Sequence, residues 1–110
     1  MRHVLLVLSE AVEGREEEYN DWYDNVHLVE VLRVPGFVAA QRFSAGEAMK
    51  GRPGPPRKYL SIYEVEADEV DTALAALSSA VVGMNMSSAI NSATVLAYPY
   101  TAHGERLTAS

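Results

Sequence analysis

The chain has no cysteine. Disulfides, thiolate nucleophiles, cysteine-ligated zinc and iron–sulfur clusters are therefore excluded. The same absence fits a cytoplasmic protein. Long apolar runs are also missing. "HVLLVLS", near the start, gives way to acidic sequence within a few residues, too soon for a signal h-region or a membrane span. No membrane partner is expected. Basic charge is scarce: nine Lys and Arg stand against fifteen Asp and Glu, a net charge of −6. Such a surface repels a phosphate backbone, so no nucleic-acid partner is expected either. Four of the nine cations (Lys50, Arg52, Arg57 and Lys58) cluster in "KGRPGPPRK". That loop has the charge to hold an anion, but its composition is first that of a solvated hairpin tip.

At 110 residues, with 48% hydrophobic content, the chain has the size of one domain with one modest core. Residues 1–102 are expected to form that domain, and 103–110 a loose C-terminal tail. "HVLLVLS" is apolar at consecutive positions and too short for a long helix, so it reads as a strand buried on both faces. Gly14 is a tolerable N-cap. Glu16, Glu17 and Glu18 then fill a first helical turn, where the helix dipole favours anions. Pro35 pushes Val34 out of the α region and Gly36 completes the stop, so the helix is predicted to end near Arg33. "GFVAAQRFSAGE" is predicted as a strand with Phe37, Ala39, Gln41 and Phe43 on one face. In "KYLSIYEVE", Tyr59, Ser61, Tyr63 and Val65 share one face, with Leu60, Ile62 and Glu64 on the other. Asp68 is placed to cap a second helix, whose Val70, Ala73, Leu74, Leu77 and Val81 recur at helical spacing. "MNMSSAINS" is compatible with either a lid or a static turn. "ATVLAYPYT" is the last strand, with Pro99 arguing for an edge or a bulge near its end.

The order β-α-β-β-α-β is the ferredoxin-like arrangement, an α+β fold with an antiparallel sheet and two helices on one face. Its other face would carry Phe, Val, Leu and Tyr into solvent. A bare apolar face of that kind calls for a second copy packed sheet to sheet, so a homodimer is expected.

"EYNDWYDNVHLVEVLRVPG", residues 18–36, holds the only tryptophan, two of six tyrosines and one of three histidines. On a regular helical wheel at about 100° per residue, Val12, Tyr19, Val26 and Glu30 line up. Trp22, Tyr23 and Arg33 flank them, and His27 lies to one side, beside Tyr23. A carboxylate on a buried stripe is costly unless it is paired. The partners within reach are His27, Arg33 or a sheet tyrosine. In a purely structural reading, Glu30 pairs with Arg33 while His27 is a half-exposed cation near the helix end. In a chemical reading, His27 is a general base or acid, Glu30 orients it, and Tyr19, Trp22 and Tyr23 wall an apolar pocket. His-x-x-Glu offers two metal ligands, too few for a site. Neither a metal nor a cofactor is expected. Tyr59 and Tyr63 would add hydroxyls to a pocket, or pack as core with their hydroxyls satisfied.

The stretch "EEEYNDWYDNVHLVEVLRVPGFVAAQRF" resembles the dimeric α/β barrel superfamily, and within it the EthD-like small proteins. The matching residues are Tyr19, Trp22, Tyr23, Asp24, His27, Glu30, Pro35, Gly36, Arg42 and Phe43. The likeness extends more loosely over residues 2–101. It implies a ferredoxin-like subunit paired through sheet faces, with a small-molecule pocket. Superfamily activities include lactone isomerases, polyketide cyclases, cofactor-free monooxygenases, haem-degrading enzymes and hydroxynitrile lyases. His27 matches the histidine that faces the pocket in several relatives. The haem-degrading branch carries its tryptophan outside the first helix, unlike Trp22. The expectation is thus a cofactor-free isomerase, cyclase or lyase that moves a proton on a small aromatic, lactone or polyketide-like molecule. His27 and Glu30 would be catalytic, and Tyr19, Trp22, Tyr23, Tyr59 and Tyr63 would bind substrate. The alternatives are a cofactor-free monooxygenase and a non-catalytic binding or accessory protein.

Overall fold

A computed structural model describes all of residues 1–110. Four strands, β1 (Arg2–Ser9), β2 (Phe37–Ser44), β3 (Tyr59–Glu66) and β4 (Leu96–Thr101), form one sheet in the order β2-β3-β1-β4. Every neighbouring pair is antiparallel. A helical rod between β1 and β2 is built from α1 (Glu16–Trp22), a π-helical turn (Tyr23–His27) and α2 (Leu28–Val31). The second helix, α3 (Val70–Val81), links β3 to β4. This is the expected ferredoxin-like α+β fold, and no helix is long and apolar enough to cross a membrane. β4 is an edge strand, so Pro99 removes no needed ladder donor. Residues 103–110 are exposed and have no regular structure.

Alternation along the strands divides the sheet into two unlike faces. His3, Leu5, Ser9, Ser61, Tyr63 and Val65 are buried beneath the helices. Here Leu5, Tyr63 and Val65 pack with Val31, Val34, Phe37 and Ala73 in the main core. The tyrosine face of β3 is therefore the one that meets the helices. The buried His3 ring bonds Thr101 Oγ1 and the Ala67 carbonyl, each at 2.9 Å. It is a satisfied core histidine at the sheet margin. On the opposite face no helix packs, and Phe43, Tyr98 and Tyr100 are 41%, 44% and 59% exposed.

One strand departs from simple alternation. A bulge between Phe37 and Ala39 breaks the β2–β3 register. The extra residue, Val38, points outward at 60% exposure. Phe37 thereby joins the helix face, opposite Val65. Ala39, Gln41 and Phe43 stay on the open face, and Arg42, paired with Ser61, is turned in beneath the helical rod. A bulge shifts the side-chain period by one residue, which is why Phe37 does not share a face with Ala39.

Helix starts also shift by one residue. Arg15, not Gly14, is the N-cap of α1, and Glu69, not Asp68, that of α3; neither makes a side-chain cap bond. Gly36 ends the loop into β2 with φ +96°, and a Cβ there would lie 3.3 Å from the Ala73 Cβ and 3.4 Å from the Glu66 carbonyl oxygen. Both the left-handed backbone and the contact with α3 require glycine. Gly36→Ala is expected to cost about 1–3 kcal/mol in urea denaturation. Gly46→Ala, in open space with no positive φ, should leave the midpoint unchanged. Equal midpoints for the two variants would contradict this packing.

Candidate functional site

The rod between β1 and β2 is the densest cluster of chemistry in the chain. Its first half is regular, and Tyr19, fully buried, bonds its hydroxyl to Ser9 Oγ on β1. From Tyr23 to His27 the helix widens into a π turn, which inserts one residue and rotates everything downstream by about 100°. Val31 and Val34, not Glu30, then reach the core, at 2% and 4% exposure. The regular wheel that put Glu30 in line with Tyr19 is broken at this turn.

Glu30 instead faces the segment after α3. Its carboxylate accepts from the Asn85 backbone N–H at 3.0 Å and from Asn85 Nδ2 at 3.2 Å. None of the three partners expected from sequence holds it. Trp22 Nε1 donates to the Asn85 carbonyl at 2.7 Å. Asn85 is thus tied to the rod at three points. The rest of "MNMSSAINS" is fastened along its length: Val12 N–H bonds the Ala89 carbonyl, Asn91 N–H bonds the Glu10 carbonyl, and Arg15 reaches Ser88. Ala89 is wholly buried against Tyr19, Trp22 and Tyr23. This segment is a strap over the rod.

The aromatic residues singled out in the sequence do come together. Tyr59 lies 5.4 Å from Tyr19, Tyr19 5.5 Å from Tyr23, and Tyr23 5.3 Å from Trp22, as ring centroids. His27 closes the series, stacked on Trp22 at 4.7 Å and edge-on to Tyr23 at 5.1 Å. Tyr63 donates a long 3.4 Å hydrogen bond to the Tyr23 hydroxyl. Burial pushes the Tyr63 phenol far above its ordinary range, and burial also raises Tyr19. Both are neutral hydroxyls at physiological pH. The rings of Tyr19, Tyr23 and Tyr63 fill the space between rod and sheet, where the sequence suggested an apolar pocket.

His27 is half-buried, and its Nδ1 is buried with no hydrogen-bond partner. Burial lowers its pKa, and the nearby charge of Glu30 partly opposes that shift. The neutral imidazole is favoured, without a bond from Glu30 to set its tautomer. No cavity is lined by His27. A shallow one of about 200 Å³ is lined by neighbouring residues of the rod, among them Val26, Val29 and Glu30, and by Asn85.

A larger cleft, about 470 Å³, opens between α1 and the β2 edge, lined by Asn20, Asp24, Arg42, Phe43, Ser44 and Tyr59. Its chemistry centres on Arg42, a residue sequence reasoning noted only as part of the resemblance. Its guanidinium lies 4.4 Å from the Tyr23 ring centre, 5.0 Å from Tyr59 and 5.2 Å from Tyr19. Desolvated contacts of this kind are worth about 2 kcal/mol. Nη1 pairs with Asp24 at 2.9 Å. Arg42 alternates with Ala40 and Ser44 on β2, a cation on an otherwise small inward face. The bulge at Val38 obscured that signal.

No family profile matches the chain, and no curated protein matches it in sequence. Solved structures do resemble it. A mutant of MhuD with two manganese protoporphyrin IX molecules bound per active site is 18% identical, with TM-score 0.58 over 96% of this chain and 99% of that one. HapK from Hahella chejuensis is 16% identical, with TM-score 0.51 over the full length of both. An EthD family protein from Bacillus halodurans is 16% identical, with TM-score 0.50 over 97% of this chain and 100% of that one. All three are dimeric α/β barrel proteins of ferredoxin-like fold. The chain therefore has the fold that its first-helix motif suggested; at these identities the likeness reaches no further than fold.

The burial of His27 has a consequence for stability. Its folded pKa lies below the ordinary 6.5, so as pH falls the unfolded chain takes up the proton first. Stability should therefore decrease as pH drops through about 6.5. His27→Gln should lose that part of the decline, read from urea midpoints at about pH 7.5 and about pH 5.5. An unchanged difference between the two midpoints would show that burial does not hold His27 neutral.

Proposed function

We propose that the chain is a cytoplasmic, small-molecule-binding subunit of a homodimer, and that it works as a cofactor-free enzyme transferring a proton. His27 is the proton acceptor, with Glu30 biasing it by charge rather than by contact. Trp22 and Tyr23 position the imidazole, Tyr19 and Tyr63 back them from the core, and Tyr59 borders the ligand in the adjoining cleft. The substrate class is a small aromatic, lactone or polyketide-like molecule with an acidic C–H, and the reaction an isomerisation, cyclisation or elimination. One observation carries this reading: a half-buried imidazole, favoured as neutral, has a buried Nδ1 that nothing in the chain satisfies. An unprotonated imidazole near neutral pH is a competent base, and a buried polar atom left without a partner calls for an explanation, of which a catalytic role is one.

Pairing is supported by the open sheet face. Leu6, Leu60 and Ile62 are half-exposed there, beside the exposed Phe43, Tyr98 and Tyr100. Sheets stack face to face at about 10 Å, and a second copy would supply the missing layer. Light scattering in solution is expected to give twice the 12.0 kDa of the chain, and Ile62→Asp to return it to the single-chain mass. A wild-type monomer at micromolar concentration would remove the dimer.

A second reading, ligand binding without chemistry, is favoured by the fact that the large cleft is lined by Arg42 and Tyr59 and not by His27. One experiment separates the two. Small lactones and 1,3-dicarbonyl compounds are incubated with the protein in D2O, and C–H exchange is followed by NMR. Catalysed exchange that falls about 100-fold or more in His27→Asn supports proton transfer by this residue. Exchange that stays within a few-fold of wild type rules His27 out.

A further inference from the structure

The Arg42 cleft contains unspent hydrogen-bonding capacity of both signs. Arg42 is 11% exposed, and of its guanidinium only Nη1 has an acceptor, on Asp24. Its Nε and Nη2 are buried with no partner. Across the cleft, a chain of bonds with fixed polarity leaves one acceptor over. The Tyr59 hydroxyl donates to Glu16 Oε1 at 2.8 Å, and Lys58 pairs with the same oxygen. That hydroxyl has one proton, already given to Glu16, so toward Asn20 it can only accept, and Asn20 Nδ2 donates to it at 3.2 Å. The amide orientation of Asn20 is thereby set, and its Oδ1 is buried without a donor. Two donor nitrogens of one cation and one acceptor thus belong to residues that line the same cleft, with Tyr59 and Phe43.

We propose that this cleft binds a small aromatic hydroxy acid, its carboxylate on the Arg42 guanidinium and a hydroxyl elsewhere on the ring, beyond reach of that carboxylate, donating to Asn20 Oδ1. An anion alone would leave Asn20 unsatisfied, and a phenol alone would leave Arg42 so; a ligand with both groups, set apart on one ring, meets both needs. Planar, two-point recognition of a carboxylate suits arginine and not lysine. Asp24, 56% exposed on its side chain, holds Nη1 and leaves Nε and Nη2 without acceptors; its negative charge beside the guanidinium opposes an incoming carboxylate. This names the ligand class of the small-molecule reading and rests on that reading. It does not rest on His27, because its test is binding and not turnover.

The probe is 3-hydroxybenzoate, whose hydroxyl cannot reach its own carboxylate, with benzoate and phenol as comparisons, titrated into the full-length protein by calorimetry. The hydroxy acid is expected to bind at least about tenfold tighter than either comparison. Arg42→Lys should weaken it by a similar factor, and Asn20→Ala should erase its advantage over benzoate. Asp24→Asn removes the competing carboxylate from an exposed position without disturbing the core, and should tighten binding several-fold. The proposal is overturned by no saturable binding at millimolar concentration, by equal affinity for the three probes, or by an affinity that Asp24→Asn lowers or leaves unchanged. Loss of binding in Arg42→Lys through misfolding would not rescue it, since the Asp24→Asn result stands alone.

Discussion

The π turn at Tyr23–His27 is the constraint on which the arrangement of the site depends. A regular helix carrying this sequence would aim Glu30 into the core and rotate Val31 and Val34 away from it. One inserted residue reverses that. The valines reach the sheet, the carboxylate swings out to Asn85, and His27 is left stacked against Trp22 with an unpaired nitrogen. A wide turn gives up some helical hydrogen-bond geometry. Here it is offset by apolar burial downstream and by avoiding an unpaired buried charge. The strap from Met84 to Asn91 depends on the same turn, because its anchor, Asn85, is held by Glu30 and by Trp22.

A second consequence concerns charge. The rod–sheet layer contains one buried cation, Arg42, among tyrosine rings, and its paired carboxylate, Asp24, lies on the π turn itself. The turn therefore carries both the arginine's counter-ion and, three residues on, the imidazole. Tyr23 joins the two in space, with Arg42 over its face and His27 at its edge. The ion pair at Arg42 and the proton affinity of His27 are neighbouring properties of one local structure. The aromatic packing makes it stiff, since interlocked rings in a dense layer have little room to shift.

Much of this was legible in the sequence. Element order, helix-stop chemistry at Pro35 and Gly36, and the shared face of Tyr59, Ser61, Tyr63 and Val65 all follow from local rules, and the structure agrees. The clustering of Tyr19, Trp22, Tyr23 and His27 was also readable, because they precede or fall within the turn. What escaped were the two places where one residue is added to a regular element. The bulge at Val38 moved Phe37 to the inner face and masked Arg42 as an inward residue. The π turn displaced Glu30. Periodicity arguments assume an uninterrupted period, and no composition signal marks where a helix widens. The Asn20–Tyr59–Glu16 chain and the Asn85 anchor join residues far apart in sequence, so spacing carries no trace of them.

The central claim is that burial holds His27 as a neutral imidazole that is not paired with Glu30. Its most direct test is an NMR titration of the two ring nitrogens of His27. The account predicts a pKa below the ordinary 6.5 and no proton shared with a carboxylate. It also predicts that Glu30→Gln lowers the value further, because that charge works against burial. A pKa at or above 6.5, with Nδ1–H bonded to a carboxylate, would contradict it.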